Sequence, residues 1–257
     1  MDSSLTQQQQ QLRCFQHCRK DIDLVCFRLP ELCPLCREDT ARTPCRIPPY
    51  VLPSPFVSSE AAPRSVVVRP TLGTFISEYS SVCDLHIGLT DSAGHVTEFD
   101  ERGLTVGSVW PQCLVVLTCP RSPQQPSHRL ADMMADSNRV SPPLRGSEAW
   151  DLALSQLSSV QSCARLWERS RYNEQTWNCF DLVLHFLSKL REETQQELLG
   201  SDFNLTLMVP GETRRSEFCN RFLVDKCRRA GDYVLLYRRV MAEGCVCVPR
   251  QGREGTS

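Results

Sequence analysis

Residues 84–99 read DLHIGLTDSAGHVTEF, and their pattern decides the fold class. Two runs rich in β-branched and aromatic residues flank Asp91-Ser92-Ala93-Gly94, whose small polar side chains and final glycine suit a tight turn. This is the signature of a β-hairpin, with His86 on its first strand and Phe99 on its second. Working outward, SVVVR (65–69), GTFISEY (73–79) and CLVVLT (113–118) repeat the strand composition between turn formers. An antiparallel sheet is therefore expected over residues 64–118.

Beyond Ser147 the period changes. Trp150, Leu154, Leu157, Ala164 and Trp167 recur at helical spacing, and Ser147 is the expected N-cap. A second helix begins behind Asn178 and carries Phe180, Val183, Leu184, Leu187 and Leu190 as its apolar stripe. A third apolar stretch, DYVLLYRRV (232–240), lies near the C-terminus, and GCVCVP alternates like a last strand. The fold class is thus α+β: an antiparallel sheet packed on helices, preceded by a small zinc knuckle.

Two proline-rich stretches divide the chain. RIPPYVLPSPFVSSEAAP shows neither a period of 2 nor one of 3.6, and its prolines remove backbone donors, so residues 46–63 are expected to be a linker. Residues 120–146 share that composition and are expected to be an unstructured insertion. The expected organisation is a disordered terminus at 1–12, a knuckle at 13–45, the linker, the α+β domain at 64–250 and a tail at 251–257.

The 29 basic and 30 acidic side chains nearly cancel, so no global field favours nucleic acid or an anionic membrane. No segment reads as a secretory signal or a membrane span, and an intracellular protein is expected. In a reducing compartment the 15 cysteines point to metal ligation, catalysis or burial rather than to structural disulfides. Residues 214–239 hold eight basic and three acidic residues, but Phe218, Phe222, Tyr233 and Tyr237 recur there at helical intervals. That spacing favours a core stripe beneath a solvated basic face over a nucleic-acid surface.

The N-terminal segment FQHCRKDIDLVCFRLPELCPLC contains Cys33-Pro34-Leu35-Cys36, a C-x-x-C whose tight turn aims two sulfurs at one point. The other half of a tetrahedral site must come from upstream, where Cys14, His17, Cys18 and Cys26 are the candidates. His17 and Cys18 are the chosen pair, with Cys14 as first substitute. Four protein ligands leave no open position for a reacting water, so the expected zinc is structural.

Cys179 stands at the start of a helix, where unpaired amides and the positive end of the dipole stabilise a thiolate. His86, on its strand, is the candidate partner imidazole, and Gly88 beside it permits close approach of a neighbour. For the role of orienting His86, Glu98 and Asp100 are near in sequence, and His95 is a second imidazole at the hairpin.

At these residues a resemblance appears. DLHIGLTDSAGHVTEF followed much later by RYNEQTWNCFDLVLHFL resembles the permuted papain-like (NlpC/P60-type) thiol enzymes, in which the histidine strand precedes the cysteine helix. That resemblance implies a catalytic Cys179 and His86. Active members commonly carry a histidine two residues after the cysteine and an aromatic residue next, where this chain has Asp181 and Leu182. FQHC with CPLC, RPTLGTF, DLHIGLT, WNCFDLVLHFL and LYRRVMAEG together resemble the makorin-two opposite-strand family. That second resemblance implies a zinc-type N-terminal segment joined to a domain with no assigned activity. The resulting expectation is a binding or scaffold protein with a protein or peptide partner. Its rival is a cysteine-dependent hydrolase or transferase acting on amide or ester bonds through Cys179 and His86.

Overall fold

The computed structural model describes residues 10–80, 82–119, 146–193 and 211–250. They form two antiparallel sheets and a set of helices, and the chain divides into two units. Unit 1 comprises residues 1–55 and 229–257, and unit 2 comprises residues 56–228.

Unit 1 is built on a four-stranded sheet of β1 (Arg13–Gln16), β2 (Ile22–Cys26), β3 (Ile47–Val51) and β10 (Cys245–Pro249), in the order β10-β2-β1-β3. All pairings are antiparallel. Phe15, Leu24, Cys26 and Cys33 are fully buried at its centre. Each large apolar side chain withdrawn from water in this way stabilises the fold by about 1.5–3 kcal/mol. The alternating GCVCVP motif forms β10, which pairs along β2 from Cys245 opposite Cys26 to Pro249 opposite Ile22. The N-terminal module is therefore discontinuous: its sheet is completed by the other end of the chain. Leu12 is also fully buried, and its carbonyl accepts the Leu52 amide at 2.8 Å, so order reaches into the stretch expected to be a disordered terminus.

Residues 46–63, expected to be a linker, instead carry β3, β4 (Phe56–Val57) and a 3-10 turn at Ser59–Ala61. The prolines are tolerated because β3 and β4 are both edge strands, and because the β1–β3 register shifts opposite Pro48 and Pro49, where a ladder bond would otherwise be lost. Pro48 and Pro49 lie within β3 itself.

Unit 2 holds a six-stranded sheet. To β4 it adds β5 (Ser65–Pro70), β6 (Leu85–Thr90), β7 (Val96–Asp100), β8 (Gly103–Ser108) and β9 (Cys113–Thr118), in the order β4-β9-β5-β6-β7-β8. The β6–β7 hairpin is the one read from the sequence. Asp91 accepts the Ala93 and His95 amides on Oδ1 at 2.8 and 2.9 Å, and Gly94 takes a φ of 83°. A Cβ on Gly94 would lie 2.4 Å from the Glu60 backbone, so both conformation and space demand glycine. GTFISEY is not a strand. Thr74, Ser77 and Glu78 bond one another in a turn that drops Phe75 into the core, where it stacks on Phe56.

The helices of unit 2 are α1 (Gly146–Ser159), the short α2 (Gln161–Ala164), α3 (Cys179–Glu193) and α4 (Gly211–Phe218). A π-helical turn at Cys219–Leu223 leads into α5 (Val224–Glu243), within which the two units divide. The apolar stripe read from Trp150 to Trp167 is not one helix. Val160 is extended (φ −83°, ψ 117°) and separates α1 from α2 and the 3-10 turn that buries Trp167. Helix α3 lies against β6 and β7, with Phe186 edge-on to Trp150 of α1, and this packing brings the start of α3 to the hairpin. The insertion expected at 120–146 and the tail at 251–257 fall outside the described residues, except for Gly146, which begins α1.

Candidate functional site

In unit 1 the two residue pairs chosen as metal ligands meet in a cluster that could hold a metal ion. His17 and Cys18 follow β1, and Cys33 and Cys36 lie in a small hairpin closed by the Leu32–Asp39 bridge. The ligand atoms of all four lie within 4.8 Å of one another. Cys18 Sγ is 4.0 Å from Cys33 Sγ, and Cys36 Sγ is 3.3 Å from His17 Nδ1. Zinc bound tetrahedrally at ~2.3 Å from each sulfur would set sulfurs about 3.8 Å apart, so the donor set fits such an ion in number, chemistry and spacing.

The local backbone explains the convergence. Arg37 donates its amide to the Cys33 carbonyl at 2.9 Å and takes a φ of 65°, a conformation most side chains avoid. That turn points the amides of Leu35 and Cys36 at the Cys33 sulfur. Burial alone would push the Cys33 thiol up, but those two amides, with the Cys36 and Cys18 thiols, bring it below its ordinary value. Desolvation and the adjoining Cys36 and Cys33 sulfurs push Cys18 up to about 11. Cys18 pushed up and Cys33 brought down by adjoining sulfurs is a conflict that a divalent cation relieves.

Thr43 is a residue that motif reading missed. Its hydroxyl sits 2.7 Å from His17 Nε2 and fixes the ring with Nδ1 toward the sulfurs. The first-substitute ligand, Cys14, pairs with Tyr50 instead and stays outside the cluster. Cys26 is likewise outside it.

In unit 2, His86 and Cys179 are brought together. Cys179 is the first residue of α3, and it lies close enough to the His86 ring to help raise its pKa. His86 Nε2 lies 2.8 Å from Glu98 Oε2, which leaves Nδ1 as the ring nitrogen for the sulfur. All three side chains are buried, with Cys179 5 %, His86 7 % and Glu98 4 % exposed.

Glu98 was one of two acidic neighbours that sequence alone could not separate. Register alone does not separate them, because Glu98 and Asp100 stand two residues apart on β7 and share the sheet face of Gly88 and His86. Their side-chain partners do, since Glu98 bonds His86. Asp100 instead turns back on Arg102. His95, exposed at the turn, faces Asp91 at 3.5 Å and takes no part.

Around this trio the sheet supplies a polar cage. Arg69, directly opposite His86 on β5, reaches within 3.6 Å of Glu98 and lies over the Trp110 ring at 4.8 Å. Trp110 Nε1 donates to Glu98 Oε1 at 3.4 Å, and its ring abuts His86. Gly88 makes room for that indole, because a Cβ there would stand 3.0 Å from it and 2.7 Å from Val96.

Burial acts to lower the pKa of His86, but the hydrogen bonds and charges of Cys179 and Glu98 outweigh it and raise the imidazole to about 9. Burial acts to raise Glu98, yet His86, Ser108 and Trp110 together hold it down to about 2. At neutral pH the pair is imidazolium and carboxylate. Cys219, in the π-helical turn, is pushed up first by burial and then by the proximity of Cys179, which leaves it a protonated bystander.

The start of α3 is pinned by a network built on Asp181, the residue standing where the thiol-enzyme pattern has histidine. Asn178 Oδ1 accepts the Phe180 amide at 2.9 Å, and Asp181 Oδ2 accepts the Asn178 amide at 2.7 Å, forming a reciprocal cap. Arg215 of α4 donates twice to Asp181 and also reaches the Gln175 and Thr176 carbonyls. Asp181 thus fixes where Cys179 sits. Beside it Tyr172 lines an open groove of about 610 Å³ with Glu101, Glu168, Arg169 and Ser170. The phenol of Tyr172 is pushed up to about 12, by burial first and by Cys179 second.

Family models match residues 10–39, as the N-terminal part of DUF4796, and residues 49–240, as its C-terminal part. The chain belongs to the DUF4796 family. Within it, His17, Cys18, Cys33 and Cys36 all lie in the first matched segment, and Cys179, His86 and Glu98 all lie in the second. The chain is 27 % identical over 233 residues to the human MKRN2 opposite strand protein, covering 90 % of this chain and 86 % of that one. No solved structure matches it. Among the described residues, no helix is long and apolar enough to cross a membrane.

Proposed function

We propose that unit 2 is a thiol acyl-transfer domain acting on an amide or ester, with Cys179 as nucleophile, His86 as its acid and base, and Glu98 as the positioning residue. The observation that carries this reading is the buried placement of Cys179, at the first turn of a helix, beside an imidazole that Glu98 holds at 2.8 Å. An imidazolium beside a sulfur favours the thiolate, and the helix start adds its partial positive charge.

In the proposed reaction the sulfur attacks the carbonyl carbon, and His86 passes its proton to the departing amine or alcohol. Water or an acceptor nucleophile then gives its proton to His86 as it displaces the acyl group from sulfur, which restores the starting state. The cap holds the Asn178, Phe180 and Asp181 amides, which leaves that of Cys179 to face the developing oxyanion. The likeness to permuted papain-like enzymes rests on this local arrangement and on the order of histidine strand and cysteine helix.

We further infer that His17, Cys18, Cys33 and Cys36 hold a structural zinc. Bound there, the ion would tie the β1–β2 connection to the Cys33–Cys36 turn, a cross-link that a short segment with few apolar side chains needs.

A second reading, a binding or scaffold role with a protein or peptide partner, is favoured by one observation: Cys179 is only 5 % exposed. The two readings separate on the alkylation of Cys179 as a function of pH. The acyl-transfer reading expects rapid alkylation persisting well below the ordinary thiol range near pH 8.5, and loss of that reactivity in His86→Ala. An ordinary thiol profile indifferent to His86 leaves the binding reading.

A further inference from the structure

Outside the two sites already described, the fold places one more pair of cysteines face to face. Cys245, the first residue of β10, lies directly opposite Cys26, the last residue of β2. Directly opposed residues on antiparallel strands have Cα atoms about 4.5–5.5 Å apart, within the ~4.4–6.8 Å that a disulfide spans. Opposed side chains also share a face, and Cys245 packs against the buried cluster that contains Cys26.

We propose that Cys26 and Cys245 are an oxidation site, forming a reversible cross-strand disulfide when the protein meets a peroxide. Two electrons pass from the sulfurs to hydrogen peroxide. The two S–H bonds and the O–O bond break, one S–S bond and two O–H bonds form, and two waters leave. Cys26 is fully buried, while Cys245 is partly exposed and gives the oxidant its approach.

The neighbouring strand cysteines lack this geometry. Cys247 stands opposite Leu24, and Cys14 stands opposite Val25 and Tyr50. Among the described strand pairings, Cys26 and Cys245 alone set thiol against thiol. Cys33, in the same cluster, is committed to the metal set. In a reducing compartment such a bond is transient, which suits a sensor rather than a scaffold. Its effect is specific, because it would lock the C-terminal strand to the sheet that carries the metal ligands.

The test uses the zinc-loaded full chain, treated with hydrogen peroxide, blocked with iodoacetamide and digested without reductant. The expected product is a peptide pair joined through Cys26 and Cys245, lighter by two hydrogens and separated by dithiothreitol. It should vanish in Cys245→Val and persist in Cys247→Val, a substitution two residues along the same strand. If Cys245→Val proves unfolded by circular dichroism, the wild-type peptide map decides alone. The proposal is overturned if Cys26 and Cys245 remain alkylatable after oxidation and unfolding, or if another pairing dominates the cross-linked products.

Discussion

Replacing Glu98 by glutamine removes a charge and almost nothing else, so it isolates what the carboxylate does for His86. The gap between the ordinary imidazole value of 6.5 and the folded value of about 9 corresponds to roughly 3 kcal/mol of preference for the imidazolium in the folded state. Because the folded pKa is raised, that stabilisation is complete below about pH 6.5 and is lost as pH rises through about 9. Glu98 has the opposite sense: its contribution is complete above its ordinary 4.5 and is lost as pH falls through about 2. The pair therefore stabilises most between about pH 4.5 and 6.5.

Two partners, Cys179 and Glu98, hold the imidazolium, so removing one of them should cost about 1–2 kcal/mol near pH 6. The variant should also flatten the decline in stability between pH 6.5 and 9. Urea unfolding across that range, read with an unchanged denaturant slope, measures the first effect. An NMR titration of the His86 ring measures the second directly. A wild-type ring titrating at or below 6.5, or a Glu98→Gln loss equal at every pH, would refute the reasoning.

Four further outcomes follow from named contacts. His17→Ala or Cys33→Ala should abolish stoichiometric zinc uptake by the full chain, measured by elemental analysis, whereas Cys14→Ser should not. Thr43→Val, which removes the hydroxyl orienting His17, should weaken zinc affinity by about 10–100-fold in a chelator competition. Arg215→Lys should loosen the start of α3, because one ammonium cannot replace a guanidinium that grips Asp181 and two carbonyls. A loss of about 1–3 kcal/mol, with faster amide exchange at residues 178–182, is the expected reading. Gly94→Ala should cost at least ~1 kcal/mol in thermal unfolding, since it adds strain at positive φ to a clash with the Glu60 backbone.

What the sequence disclosed, and what it hid, follows the range of the interactions. The β6–β7 hairpin, β9 and the α3 stripe are local patterns, visible because alternation and turn chemistry act within a few residues. The cluster of His17, Cys18, Cys33 and Cys36, which could hold a metal ion, was also legible through short spacings. Thr43 and Arg215 did not, because their contacts with His17 and Asp181 join positions 26 and 34 residues apart that no periodicity links. Glu98 was half legible: a hairpin register extended from Gly94 puts it on the face of His86 but puts Asp100 there too, and only the capture of Asp100 by Arg102 tells them apart. The prolines at 48 and 49 misled because composition cannot tell an edge strand from a linker. GTFISEY misled in the other direction, its β-branched and aromatic residues serving to bury Phe75 from a turn.

The place of β10 beside β2 has a consequence for how the protein comes into being. Cys26 leaves the ribosome 219 residues ahead of Cys245, the difference of their positions. At a synthesis rate of about 5–20 residues per second, β2 waits roughly 10–45 s for its neighbour. Throughout that interval the strand offers an open hydrogen-bonding edge and unpartnered thiols to whatever surrounds the nascent chain. A module begun well before β10 is made is thus finished only after it, and its maturation is the step at which a holdase or a zinc-supplying partner has the most time to act.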